Sequence, residues 1–302
     1  MRRRGDAVDG VMLLDKPLGL SSNRALQTVR RLLNAQKAGH TGTLDPLATG
    51  LLPLCFGNAT KFSADLLHAD KRYEARVMLG VETATGDAEG EVTARRDARH
   101  LTLADLEGVL PRFRGVIEQV PPMYSALKRD GECLYEIARR GETVEREPRR
   151  VTIRELSVSD WEATDEGVFF TMKTLVSKGT YIRVLAEDIG RALGVGAHLR
   201  TLRRTGVGDL SIDEAVSWES LEKATIDMAR SLLSPVDRLL STLPRIELSI
   251  SDAERFRHGQ RIALGSPRSI ELLRVYAAGE LLGTARTDER GTLHPVRLLA
   301  QA

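Results

Sequence analysis

Residues 39–50 read Gly-His-Thr-Gly-Thr-Leu-Asp-Pro-Leu-Ala-Thr-Gly, with three glycines and one proline in twelve residues. This composition predicts an ordered loop. Asp45 is the single carboxylate between Lys16 and Ala64, a stretch that holds six Lys/Arg. Pro46 restricts Asp45 to extended backbone, which holds its carboxylate in one direction. Asp45 is therefore a candidate nucleophile or base, and an Asp-Pro turn is the structural alternative.

Several kinds of chemistry are disfavoured by motifs that the chain lacks. It has no Gly-Lys-Ser/Thr loop ending and no Gly-x-Gly-x-x-Gly, which argues against nucleotide binding. It has no Pro-Cys-x-x-Cys, so zinc-deaminase chemistry is disfavoured. Paired-carboxylate glycoside hydrolysis needs a second acid near Asp45, and the basic stretch supplies none. Cys55 and Cys133 lie far apart without a His/Cys cluster, so we predict neither a disulfide framework nor a zinc site.

The net charge of +2 conceals an uneven distribution of charge. Besides the stretch around Asp45, residues 189–208 contain four arginines and no acid: Arg191, Arg200, Arg203 and Arg204. Two separate acid-poor basic stretches indicate a polyanion partner. A solvated surface balanced by acids elsewhere is the alternative.

Length and composition set the class of protein. At 302 residues, with 42% hydrophobic and 28% charged residues, the chain is typical of a globular protein of two domains. Its longest apolar run, residues 50–57, contains a proline and is far shorter than the roughly 20 residues of a membrane span. The N-terminus lacks an apolar stretch of signal-peptide length. We therefore expect a cytoplasmic protein that does not cross a membrane.

The hydrophobic pattern mixes strands and helices without a βαβ rhythm, which predicts an α+β fold with a mixed, largely antiparallel sheet. Alternation over 71–80 predicts a strand, and 151–161 and 168–176 look like a strand pair. Ser22, Asn58, Thr102 and Ser251 are predicted helix caps, and apolar spacing predicts a further helix over 182–193. After Leu243, three short strands at 272–277, 281–287 and 293–299 predict a small barrel or sheet. The predicted domains are thus 1–243 and 244–302.

Six segments together resemble one known family, the bacterial tRNA pseudouridine-55 synthases. The loop from His40 to Gly50 resembles the catalytic loop of that family. The other segments agree in order and spacing, and the resemblance covers roughly residues 10–220. They are Leu14-Asp15-Lys16-Pro17 with Gly19 and Ser21-Ser22, Asp70-Lys71-Arg72-Tyr73, Val120-Pro121-Pro122-Met123-Tyr124-Ser125-Ala126-Leu127-Lys128, Ser177-Lys178-Gly179-Thr180-Tyr181-Ile182-Arg183, and Gly196-Ala197-His198-Leu199 with Leu202-Arg203-Arg204.

The resemblance implies a fold and an activity. The fold is a catalytic core of the pseudouridine synthase type followed by a small β-barrel-like (PUA-like) RNA-binding domain. The family converts a uridine in the T-loop of tRNA to its C-glycoside isomer, without a cofactor or a metal. The target base must leave the stack, which costs a few kcal/mol. The implied partner is the T-arm stem-loop of tRNA, and we expect a monomer that binds neither membrane nor metal.

Three residues match catalytic positions of the family. Asp45 matches the catalytic carboxylate, and the sequence leaves open whether it attacks the sugar C1′, attacks uracil C6 or removes a sugar proton. Arg183 matches the active-site arginine that orients this carboxylate, with a phosphate contact as the alternative. Tyr73 matches the residue that stacks on the target base and can also assist proton removal from C5. An ordinary core aromatic is the alternative for Tyr73.

Other residues match substrate-binding positions. The histidine equivalent to His40 helps to hold the flipped loop in the family, and Tyr181 and Leu202 match residues that line the uracil pocket. Lys16 and Lys61 are candidate phosphate or structural partners. Arg200, Arg203 and Arg204 fit phosphate contacts, which orient RNA without reading its sequence.

Two alternatives remain at this stage. One is a non-catalytic RNA-binding or tRNA-folding protein that uses the same basic surface. Asp45 argues against it, because a carboxylate among phosphates weakens binding. The other is a synthase that partner proteins guide to a different RNA. The length of the chain and its lack of long basic tails favour a stand-alone tRNA enzyme.

Overall fold

Nineteen strands and eight helices lie in the residues that the computed structural model describes, 5–265 and 272–300. Three short segments lie outside this described part: residues 1–4, 266–271 and 301–302. The first begins the first predicted domain, and the other two belong to the second. The strands are β1 (Gly10–Lys16), β2 (Ala38–His40), β3 (Ala48–Phe56), β4 (Lys71–Leu79), β5 (Val81–Thr83), β6 (Val92–Arg95), β7 (Gly115–Gln119), β8 (Lys128–Arg129), β9 (Glu132–Cys133), β10 (Arg149–Ala163), β11 (Val168–Val176), β12 (Ala197–Val207), β13 (Leu210–Ser211), β14 (Val216–Ser217), β15 (Arg245–Glu247), β16 (Ile262–Ala263), β17 (Leu272–Ala277), β18 (Glu280–Thr287) and β19 (Thr292–Leu298).

The helices connect and cover these strands. They are α1 (Ser22–Leu32), α2 (Ser63–Leu67), α3 (Leu103–Val109), α4 (Leu134–Arg139), α5 (Ile182–Ala192), α6 (Trp218–Glu222), α7 (Ile226–Ser231) and α8 (Ile250–Arg257). Short 3₁₀ turns lie at Gly57–Lys61, Leu110–Phe113, Ile212–Glu214 and Val236–Leu240. Among the described residues, no helix is long and apolar enough to cross a membrane.

A ten-stranded sheet forms the centre of the described part of the chain. Its order is β14-β1-β3-β12-β4-β11-β10-β7, with β2 added to β3 and β13 added to β12. The β1–β14 and β3–β12 pairs are parallel, and the remaining pairs are antiparallel. The predicted α+β class with a mixed, largely antiparallel sheet is confirmed. Both long strand predictions are confirmed as well, since β10 pairs with β11 and β4 covers the alternating stretch.

The sheet is buried on both faces near its centre, which explains the apolar runs in β1 and β3. Met12 and Leu14 of β1 point into the main core, which also contains residues of α1, α3 and α5. Val11 and Leu13 point the other way, into a second cluster that includes Phe62. Alternation along a strand thus divides one apolar run between two cores.

The C-terminal strands form a separate five-stranded sheet in the described residues, in the order β15-β17-β18-β19-β16. It curls into a half-barrel, which agrees with the predicted barrel-like appendage. Phe256 of α8 is fully buried against its inner face. Leu281 and Leu299 pack against the second cluster of the large sheet, so the two parts share an apolar contact.

One of the four predicted caps is confirmed and three are wrong. Thr102 forms a capping box with Asp105. Ser21 caps α1 in place of Ser22, and Ser249 caps α8 in place of Ser251. Asn58 lies inside a 3₁₀ turn, where its side chain binds Asp9. The side chains of Ser22 and Asn58 form hydrogen bonds to residues distant in the sequence, and the local sequence gives no signal for these bonds.

Candidate active site

A cleft of about 420 Å³ opens where the 41–47 loop, β4 and the β11–α5 turn meet. The three catalytic candidates and the two uracil-pocket candidates line it: Asp45, Tyr73, Arg183, Tyr181 and Leu202. They come from distant parts of the sequence, and the sheet brings them together.

The position of β12 explains this assembly. β12 lies between β3 and β4, where Leu202 pairs with Ala48 and Arg204 pairs with Tyr73. Ala48 begins the strand that follows the Asp45 loop. The register of one strand therefore sets the distance between the loop, the tyrosine and the leucine.

Asp45 and Arg183 form an ion pair at the cleft, with 2.8 Å between Oδ2 and Nη2. Arg183 is 5% exposed, and its guanidinium also donates to the carbonyl oxygens of Thr85 at 2.8 Å and Tyr124 at 2.7 Å. The Asp45 side chain stays 43% exposed. A buried arginine that is bound to two backbone carbonyls thus orients a carboxylate that a substrate can still reach.

A second carboxylate, Asp87, holds Arg183 from the other side. Its Oδ2 lies 3.6 Å from Nε of Arg183, and the residue is 3% exposed. Its Oδ1 accepts from Thr85 Oγ1 at 2.5 Å and from the backbone N–H of Glu89 at 3.1 Å. Burial and the charges of Asp87 and Asp45 raise the pKa of Glu89. Asp87 was missed at the level of sequence because it lies in a polar loop without periodicity.

The loop that carries Asp45 is hydrogen-bonded to the rest of the protein at several points. Ser22 Oγ donates to Leu44 O at 3.0 Å and accepts from Leu44 N at 2.8 Å, which is why Ser22 does not cap α1. Arg204 donates to Leu51 O at 2.8 Å and to Gly42 O at 3.0 Å. Its guanidinium bridges the two ends of the loop and fixes the backbone around Asp45.

The predicted phosphate contact by Arg204 is wrong, because the residue is 1% exposed and its guanidinium is bound to the protein. Arg203 pairs with Asp15 at 2.6 Å and is only partly exposed. Arg200 is exposed, but it lies beside a different surface pocket, with Arg76 and Phe169. The basic sequence around β12 mostly serves the fold.

Two buried lysines, Lys16 and Lys71, have lowered pKa values. Lys16 is fully buried and donates to Pro17 O at 2.9 Å and Leu20 O at 2.7 Å. Burial lowers the pKa of Lys16 to about 8, a shift that the Asp45 charge opposes and Arg204 reinforces. Burial likewise lowers the pKa of Lys71 to about 8. These contacts favour the structural alternative for Lys16.

His40 and Lys61 lie away from the cleft walls. Burial and the charge of Arg204 lower the pKa of His40, which favours a neutral imidazole. Its buried Nδ1 makes no hydrogen bond to any described residue. Lys61 donates to Leu298 O at 2.8 Å and thereby ties the large sheet to β19.

Tyr181 is held by its backbone. Its N–H donates to Gln119 Oε1 at 3.1 Å, and its carbonyl accepts from Gln119 Nε2 at 3.3 Å. Gln119 is 2% exposed, so this amide pair is buried. It fixes the residue that precedes α5 and, through it, the start of the helix that carries Arg183. Burial raises the pKa of the Tyr181 phenol.

Comparisons with known proteins agree along the whole chain. The model described as "TruB family pseudouridylate synthase (N terminal domain)" matches residues 30–182. Two further models match 183–241, "tRNA pseudouridylate synthase B C-terminal domain", and 244–299, "Pseudouridine synthase II TruB, C-terminal". These matches place the chain in the class of pseudouridylate synthases.

Full-length relatives give the same result. A "tRNA pseudouridine synthase B" of Ralstonia nicotianae is 58% identical over 97% of this chain and 94% of its own length. One of Burkholderia mallei is 57% identical over 99% of both. A crystal structure of a Cbf5-Nop10-Gar1 complex matches with a TM-score of 0.69 and 25% identity, over 96% of this chain and 84% of that one. The chain belongs to the TruB family of pseudouridylate synthases.

Proposed function

We propose that this pseudouridylate synthase converts uridine 55 in the T-loop of tRNA to pseudouridine. The observation that carries the proposal is the Asp45–Arg183 ion pair, which lies in the same cleft as Tyr73. The names of the two relatives, which align with nearly the whole chain, support a tRNA substrate.

The reaction is an isomerisation that needs no external reagent. The bond between C1′ and N1 breaks, the uracil turns, and a bond between C1′ and C5 forms. C5 then loses its proton and N1 gains one, so the atoms balance. The base must be flipped out of the RNA, and contacts in the cleft must repay the few kcal/mol of unstacking.

Each cleft residue has a proposed role. Asp45 supplies the carboxylate that acts on the sugar or the base. Arg183, which is itself bound to two backbone carbonyls, positions that carboxylate through the ion pair. Tyr73 offers its ring as a stacking surface, which contributes about 1–3 kcal/mol in such sites. Tyr181 and Leu202 complete the walls around the base. His40 is proposed to support the flipped RNA loop from its neighbouring strand.

We also propose that the two parts of the chain have different roles. Residues 1–243 carry the chemistry, and residues 244–302 form a PUA-like domain that binds RNA. Hydrogen bonds from Lys61 to Leu298 and between Asn58 and Ala300 support a fixed placement of this domain beside the core. A fixed second contact region suits a structured RNA such as the tRNA T-arm.

We further propose that the enzyme works in the cytoplasm, as a monomer, without metal or cofactor. In the described residues, no group of three or more His, Cys, Asp or Glu side chains has metal-binding geometry. The test is activity on a T-arm stem-loop after chelation and dialysis, with the fold of the RNA checked separately. A requirement for a metal or a nucleotide on that substrate contradicts this part.

The decisive experiment for the function is incubation with an unmodified tRNA transcript, followed by chemical mapping of pseudouridine. We expect modification at position 55 alone. Asp45→Asn is the control: it should abolish the reaction and keep or slightly tighten RNA affinity, because a charge that repels phosphates is gone. Modification elsewhere contradicts the site specificity, and turnover by a verified Asn variant contradicts the role of Asp45.

A further inference from the structure

One buried hydroxyl in the cleft has no hydrogen-bond partner among the described residues. Ser125 lines the cleft and is 4% exposed, and its Oγ makes no hydrogen bond to any residue that the structure describes. A buried polar group without a partner destabilises the folded state. Such groups are uncommon in native proteins, and each calls for an explanation.

The backbone of Ser125, in contrast, is fully bonded. Its N–H donates to Met123 O at 2.9 Å, and its carbonyl accepts from Tyr135 N at 3.1 Å. The preceding carbonyl, of Tyr124, accepts from Arg183 at 2.7 Å. The hydroxyl is therefore presented from a fixed backbone, one residue away from a direct contact with the arginine that orients Asp45.

The cleft that Ser125 lines has apolar as well as polar walls. Ala48, Ile182 and Leu202 belong to the apolar part. The Tyr181 phenol lies near enough for the Ser125 hydroxyl to offset part of the rise in its pKa, yet the two make no hydrogen bond of ordinary geometry. A planar, polar ligand entering the cleft would meet Ser125 as a free hydrogen-bonding group.

We propose that Ser125 Oγ donates a hydrogen bond to a carbonyl oxygen of the target uracil and thereby positions the base. The inference rests on the proposed function and assigns an additional residue to its site. A base is favoured over a phosphate because Ser125 is reached only by a group that enters the cleft, whereas the exposed Lys178 stands at its rim. Uracil also carries two carbonyl groups, each able to accept from a hydroxyl.

The proposal predicts opposite effects on stability and activity. Ser125→Ala removes a polar group that is unpaired in the free protein, so the Tm should equal or exceed that of the wild type. In the complex, the Ser125→Ala variant leaves a uracil oxygen without a hydrogen bond, so kcat/KM should fall about tenfold. Ser125→Cys, whose thiol is a weak donor, should have a kcat/KM between those of the wild type and Ser125→Ala.

Thr284→Val is the matched control. Thr284 is fully buried in the C-terminal sheet, and its Oγ1 also makes no hydrogen bond to a described residue. Loss of this hydroxyl should likewise not lower the Tm, and it should leave the rate at saturating RNA unchanged, because Thr284 does not line the cleft. Normal activity in Ser125→Ala, or a Tm several degrees below the wild type, would overturn the proposal.

Base analogues locate the contact. Single-turnover rates of the wild type and Ser125→Ala are compared on T-arm stem-loops with uridine, 2-thiouridine, 4-thiouridine or 2′-deoxyuridine at the target. A carbonyl contact predicts that the loss in Ser125→Ala shrinks on one of the two thio substrates. Equal losses on both, or a loss that shrinks only on the 2′-deoxy substrate, overturn it. No pseudouridine from the wild type on uridine contradicts the proposed function itself, a separate result.

Discussion

Replacing Asp87 by asparagine should slow the chemical step without weakening RNA binding. The carboxylate lies 3.6 Å from Arg183 Nε, and both side chains are buried, at 5% and 6% exposure. At an effective dielectric constant of about 20, two unit charges at this distance attract by about 4–5 kcal/mol. Asparagine can still accept from Thr85 and Glu89, so the loop keeps its shape while Arg183 loses this attraction.

Only part of that energy should appear in the rate. Arg183 keeps its hydrogen bonds to the two carbonyls and to Asp45. Without Asp87 it attracts the Asp45 carboxylate more strongly, which offsets part of the lost attraction and makes that carboxylate less reactive. We expect about 1–3 kcal/mol of lost transition-state stabilisation, a decrease in kcat of about 5- to 150-fold. The Kd for RNA should change by less than about twofold, because Asp87 is buried and does not line the cleft.

The assay is multiple-turnover conversion of a T-arm stem-loop at saturating RNA, which gives kcat, with the Kd measured separately. Asp188→Asn is the control, since Asp188 pairs with Arg191 at 2.5 Å on the same helix as Arg183 but outside the cleft lining. It should leave kcat unchanged. A folded Asp87→Asn with kcat within twofold of the wild type would refute the reasoning, as would a loss confined to RNA affinity.

Three other experiments test separate parts of the structure. Tyr73→Phe should keep RNA affinity and lose most turnover if the phenol assists proton removal, whereas Tyr73→Leu should additionally weaken capture of the base by about 1–3 kcal/mol; near-normal single-turnover rates in both would remove Tyr73 from the site. The pKa of Lys16 is about 8 in the folded protein against 10.5 ordinarily. The unfolded chain therefore binds more protons between pH 8 and 10.5, and the free-energy cost of burying this group falls as the pH rises. In urea titrations the wild type should therefore gain about 2–3 kcal/mol over Lys16→Met from pH 7.5 to 10, and a constant difference would contradict the shift. Truncation after Leu243 should weaken tRNA binding and leave slow activity at saturating RNA; a folded but inactive truncation would place the tail in the active site.

The sequence predicted those features that depend on local pattern. Alternation identified β4, and apolar spacing identified α5. The resemblance then singled out five residues that line one cleft. The geometry that brings them together, the register of β12 against β3 and β4, depends on pairing between distant segments and leaves no local signal.

The error at Arg204 and the omission of Asp87 have one physical cause. Arg204 looked like a surface cation because it lies in a basic stretch, yet it is buried and bound to backbone carbonyls. Lys16 is buried and bound to backbone carbonyls as well, which agrees with the structural alternative for it. Asp87 had no distinguishing neighbours in the sequence. Burial of a polar side chain is decided by tertiary structure, so residue type and spacing alone misplaced Arg204 and missed Asp87.

The place of β12 in the sheet has a consequence for how the enzyme folds. Arg204 binds Leu51, 153 positions away, and Arg183 binds Asp45, 138 positions away. Contacts of such long range carry a high entropic cost of loop closure and form late. The cleft therefore does not exist in any intermediate that lacks β12. During synthesis, the loop, the tyrosine and the arginine can form one cleft only after the chain has grown past Val207, so the candidate site cannot assemble before β12 joins the sheet.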